Sequence, residues 1–252
     1  MKFTSTFFLA LLIFTSVVNA QKLPNVQQTS IRAKKSPNNE VADTFEAYNH
    51  NTDIFYTLSN DDNKLYLTIK VIEPFIFKKI ASGGLTLTIS NGAKANENVS
   101  ITYPTTKDSA PFYLVLNSTG GTATTTKNHN DSLKNALNAQ MTNSLKVIEV
   151  TGVKAISDSL ISIYNEYGIK ANAFFDDQIN YNYRLELPLK YLNNLSKISY
   201  KITLNGTIPK NAVTRLSGSG QNLLVMVEGK SPYVTPIINS PTYFSGEYEL
   251  AK

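Results

Sequence analysis

Alternation with a period of two runs through most of this chain, and no other feature of the sequence limits the fold so strongly. From Tyr181 to Leu189, the residues Tyr181, Tyr183, Leu185, Leu187 and Leu189 fall on one side. Asn182, Arg184, Glu186 and Pro188 fall on the other. Successive side chains of a strand point to opposite faces, so this pattern predicts a strand with one buried face. It recurs at Ile54, Tyr56 and Leu58, at Leu65, Leu67, Ile69 and Val71, at Leu85, Leu87 and Ile89, and at Ile198, Tyr200, Ile202 and Leu204. Gly, Asn and Pro signals separate the runs, which predicts roughly ten strands. One stretch departs from the rule. Leu133, Ala136, Leu137, Met141 and Leu145 form a helical stripe behind Asp131 as a cap. The expected fold is all-β and mainly antiparallel, a single β-sandwich over residues 45–252 with one inserted helix near 131–145. "SPTYFSGEYELAK" at the C-terminus reads as a closing edge strand.

The polar knot Asn60-Asp61-Asp62-Asn63 between two of these strands raises the question of a metal. A calcium ion takes six or more oxygen ligands, and adjacent Asp side chains in a turn point apart. Asn and Asp also tolerate left-handed backbone angles and bond their own main chain. The knot is predicted to be a hairpin turn, and no metal site is expected.

The first twenty residues have the form of a signal peptide. Lys2 is followed by an apolar run from Phe7 to Val18, and Val18-Asn19-Ala20 supplies small residues for cleavage after Ala20. Residues 21–44, rich in Gln, Asn, Ser and Pro, are expected to form a flexible N-terminal segment. The expected location is the periplasm or the extracellular space, with no transmembrane segment after cleavage. The chain has no Cys, so no thiol nucleophile, disulfide or Cys-ligated metal is available. Without Lys2 there are 23 basic against 19 acidic residues, a charge of +4. Arg appears only at 32, 184 and 215, which is no nucleic-acid footprint.

"DDNKLYLTIKV" and "YRLELPLKYL" resemble two strand signatures of the family-nine carbohydrate-binding modules and the related DOMON domains, with "GGLTLTIS" where a middle strand lies. The resemblance implies a β-sandwich that binds a carbohydrate without chemistry. The sugar-binding members grip their ligand between Trp rings, and this chain has no Trp. They also carry an acid where this chain has Arg184, with Glu186 two residues before Pro188. Cytochrome-type relatives hold haem through Met and His. His50, His129, Met141 and Met226 show no spacing that makes an axial pair, so no cofactor is expected.

Catalysis has little material. The two His and the absence of a G-x-S-x-G elbow leave no nucleophilic triad. The carboxylates Glu73, Asp108, Asp176, Asp177 and Glu186 fall at strand ends, in turns or beside basic residues. No enzyme is expected. Aromatic faces on rigid loops are what sugar stacking requires, and Tyr48, Tyr103 and Tyr233 lie outside the clearest alternation. These three are the candidate ligand-binding residues. The alternative function is structural, with a sheet edge or the Thr-rich loop before the helix meeting a protein partner. The sequence leaves the oligomeric state open.

Overall fold

The computed structural model describes residues 45–90, 98–105, 127–193, 195–206, 212–213, 226–227 and 240–251. The expected signal peptide, its cleavage site, the segment 21–44, most of the Thr-rich loop, Asp108 and Tyr233 lie outside the described residues.

Two antiparallel sheets pack face to face. The first has five strands, in the order β1 (Ala47–Asn49), β2 (Ile54–Asn60), β3 (Lys64–Val71), β9 (Tyr181–Pro188) and β8 (Lys170–Phe175). The second has six, in the order β13 (Thr242–Glu249), β10 (Lys197–Leu204), β4 (Leu85–Ser90), β5 (Val99–Tyr103), β6 (Val147–Thr151) and β7 (Leu160–Ser162). A short pair, β11 (Ala212–Val213) and β12 (Met226–Val227), stands apart from both. The period-two residues fill the space between the sheets. Ile54, Leu58, Ile69, Leu85, Ile89, Ile202 and Leu204 are all completely buried. Tyr56 of the first sheet meets Phe244 and Tyr200 of the second, with ring centroids 4.7 Å apart in the first contact and phenol oxygens 3.3 Å apart in the second. The chain is a β-sandwich, and its closing strand β13 does lie at a sheet edge.

Three details differ from the sequence reading. The helix α2 spans Lys127–Ser144, so Asp131 sits inside its second turn, 3.8 Å from Lys134, and does not cap it. A second helix, α1 (Pro74–Gly83), joins β3 to β4 where a strand end was expected. Pro74 suits the first helical turn because its missing N–H has no partner there anyway. Gly84, at φ +82°, ends the helix and returns its N–H to the Ile80 carbonyl. The strand β9 stops at Pro188, and Leu189 opens a 3-10 turn in a half-buried position. Among the described residues no helix is long and apolar enough to cross a membrane.

Candidate functional site

The polar knot is the expected hairpin turn. Asp61 Oδ1 accepts the backbone N–H groups of Asn63 and Lys64, both at 2.7 Å, and Oδ2 accepts the Tyr66 phenol at 2.6 Å. Burial pushes this carboxyl up, but the bonds from Tyr66, Asn63 and Lys64 outweigh it and hold it below the usual range. The same logic closes the loop between β8 and β9. Asp176 Oδ1 accepts the amides of Gln178 and Asn180, and Oδ2 accepts the side chains of Asn180 and Asn182. Both carboxylates are engaged in holding their own loops.

The other acids have structural partners or positions. Glu186 pairs with Lys64 at 2.8 Å and lies 3.6 Å from Arg184, while Lys190 sits over the Tyr191 ring instead. Asp177 accepts from Lys134 of α2, and Glu73 occupies the position before the first turn of α1. Among the described residues no group of three or more acids or histidines stands together to hold a metal.

Tyr48 and Tyr103 are not brought together. Tyr48 is half-buried on the outer face of the five-stranded sheet, where its ring meets His50 and Phe55, each at 4.7 Å between centroids. Its phenol donates to Asp53 Oδ1 at 2.8 Å, and that bond, with the nearby charge, raises its pKa. Tyr103 is not a loop aromatic. It continues the inward alternation Val99, Ile101, Tyr103 of β5, is buried, and donates to the Leu145 carbonyl at 3.3 Å. Burial pushes its phenol up to about 12. Tyr233 lies outside the described residues.

A depression of about 230 Å³ opens instead on the outer face of the six-stranded sheet. Ser100, Thr102, Thr105, Glu149, Thr151, Asn205 and Gly83 line it. Strand register builds it: Thr86 of β4 lies opposite Thr102 of β5, which lies opposite Glu149 of β6, and Ser100 lies opposite Thr151. The Thr86 and Thr102 hydroxyls are 2.7 Å apart, and Asn205 Nδ2 donates to Thr86 Oγ1 at 2.9 Å. Either hydroxyl can donate to the other; where Thr86 donates, the Thr102 O–H is left for a guest. The wall depends on close backbone approach. A Cβ at Gly83 would stand 2.2 Å from the Asn205 carbonyl oxygen, so only glycine lets α1 end against this segment.

Six of the seven lining residues offer polar side chains, none is aromatic or basic, and one is a carboxylate. Such a surface can hydrogen-bond a small polyhydroxylated guest. It lies below the roughly 300 Å³ at which drug-sized pockets begin, so the guest is small. Sequence reasoning centred on aromatic residues missed it. The available signal was the run of hydroxyl residues at outward positions in "LTLTIS" and "VSITY". Comparison with protein-family models, curated protein sequences and solved structures gives no match.

Proposed function

We propose that this chain is an exported, non-catalytic binding protein whose ligand is a carbohydrate or a similar small polar molecule, held in the depression beside Thr102, Glu149 and Asn205. The observation that carries the reading is the lining itself: hydroxyl, amide and carboxylate groups converge from β5, β6 and the end of β10 with no apolar side chain among them. The resemblance of two strand signatures to carbohydrate-binding and DOMON sandwiches supports the same class, and the apolar run behind Lys2 supports export. Engagement of Asp61, Asp176 and Glu186 in local bonds supports a role without catalysis.

The test is thermal unfolding of residues 21–252 against neutral, amine-bearing and acidic monosaccharides. A ligand at 100 times its Kd adds about 2.7 kcal/mol, which raises Tm by roughly 5–10 °C in a domain of this size. At least one of these sugars should give that rise, and Thr102→Val and Glu149→Ala should abolish it. A flat response to every sugar, or a rise that survives both substitutions, refutes the site.

A second reading, assembly with a protein partner, draws on the sheet edges. Tyr243 on β13 is 50% exposed and Leu160 on β7 is 39% exposed, and these strands end the six-stranded sheet on opposite sides. Self-association or partner capture lost on Tyr243→Ser would favour it.

A further inference from the structure

Among the described residues six tyrosines line the interior of this sandwich, and four of them have clear hydrogen-bond partners. Tyr56 and Tyr200 meet each other, Tyr248 donates to Asn60 at 2.9 Å, and Tyr103 donates to the Leu145 carbonyl. Tyr181 and Tyr183 differ. Each is 1% exposed, and neither phenol oxygen has a hydrogen-bond partner among the described residues. A buried hydroxyl that bonds nothing forfeits its hydration without return, and native interiors rarely leave one so. Two such groups side by side, in a chain that satisfies its other buried phenols, point to a shared guest.

We propose that the interior of the sandwich holds a specific polar site in which one water molecule bridges the phenols of Tyr181 and Tyr183, with the Tyr103 oxygen as its third partner. The geometry suits one water. Tyr181 and Tyr183 project from the same face of β9, where residues two apart are about 7 Å apart along the backbone, so a slight lean of the two rings brings their oxygens within the roughly 5.6 Å that two hydrogen bonds through one water span. Tyr103 approaches from the opposite sheet, its ring 6.1 Å from that of Tyr183, and it keeps acceptor capacity because its proton goes to Leu145. β8 turns Ala171, Ala173 and Phe175 inward. The small Ala173, directly opposite Tyr183, leaves room there, while Phe175 stands opposite Tyr181 with its ring 5.7 Å away. A buried water of this kind typically makes about three hydrogen bonds, the number available here. The site ties β9 of one sheet to β5 of the other next to the end of α2. Burial, with the charge each would place near Tyr103, holds both phenols protonated, so they act as neutral donors and acceptors.

The test combines a high-resolution crystal structure of the full chain with Tyr181→Phe, Tyr183→Phe and the double variant. Phe keeps the ring, so the variants retain the core. The expected result is one ordered solvent oxygen within hydrogen-bond distance of both phenols. Each single variant should lower Tm by about 2–4 °C, and the double variant by less than the sum, because the second phenol loses its partner with the first. An interior without ordered solvent, together with Phe variants as stable as the parent or more so, overturns the site.

Discussion

Lys79 shows how one residue can work against the fold that contains it. It lies on the inner face of α1, is 1% exposed, and its ammonium donates to Thr242 Oγ1 at 3.0 Å. Burial lowers its pKa, because a desolvated ammonium is costly unless it is well paired. Lys79→Met keeps the length and apolar stem and removes the charge, so chemical denaturation should show a gain of roughly 1–3 kcal/mol. The sign with pH is fixed by the direction of the shift. With a folded pKa below the unfolded one, the penalty is full at neutral pH and fades as pH rises from the folded value toward about 10.4. The gain from Lys79→Met should therefore shrink in alkaline buffer. Asp61 runs the opposite way. Its folded pKa is depressed, so its contribution is present above the unfolded value and is lost as pH falls through the folded one. Asp61→Ala should cost about 1–2 kcal/mol at pH 7 and progressively less below about pH 4. An equal loss at pH 2 and pH 7 would mean that the turn is held by something other than this carboxylate.

Edges and ends decide how the elements are secured, and here α2 has a definite task. Asn138 meets the backbone of Phe175 twice, accepting its N–H at 2.7 Å and donating to its carbonyl at 2.9 Å. Phase by phase this copies the bonds of a neighbouring strand, at the strand β8 that ends the five-stranded sheet. Asn138→Ala should cost about 1–3 kcal/mol, and hydrogen exchange at the Phe175 amide should accelerate more than at Tyr183 in the sheet interior. The strands were legible in the sequence because burial on one face imposes a period of two, and Leu65–Val71 and Tyr181–Leu187 place a large apolar or aromatic residue at every inward position. The helix α1 was not, although Ile76, Phe77, Ile80 and Ala81 recur at helical spacing behind Pro74. Its ten residues are too short for periodicity to outweigh the strand pattern on either side. The candidate site was hidden for another reason. Thr102 and Glu149 come from separate strands and Asn205 from the residues just after β10, and each alone is an ordinary polar residue. Only register, which the sequence does not display, sets them side by side.

At the scale of the whole molecule, the two sheets are joined by apolar packing, by the Tyr56–Tyr200 phenol pair and by a fully used amide. Asn60, at the end of β2, is 1% exposed. Its Nδ2 donates to the carbonyls of Asp61 and Ala251, and its Oδ1 accepts the Tyr248 phenol and the Ala251 N–H at 2.9 and 2.8 Å. The first hairpin of one sheet is thereby fastened to the closing strand of the other, 191 residues further along the chain. Leu250 adds a bond from its N–H to the Ser196 carbonyl, so the end of the described chain is held against both β2 and the approach to β10. Replacing Asn60 by Ala removes all four bonds at a buried point and should destabilise the fold by on the order of 3 kcal/mol. Asn60→Asp is a sharper probe, because a carboxylate keeps the acceptors and loses both donations to carbonyls. It should be destabilising at pH 7 and less so at low pH, where the acid regains an O–H. Truncation after Glu249 removes the Ala251 bonds by another route, so its cost and that of Asn60→Ala should overlap. A double-mutant cycle in which the two costs add in full would show that Asn60 and the C-terminus stabilise the sandwich independently, and that the amide is no clasp between the sheets.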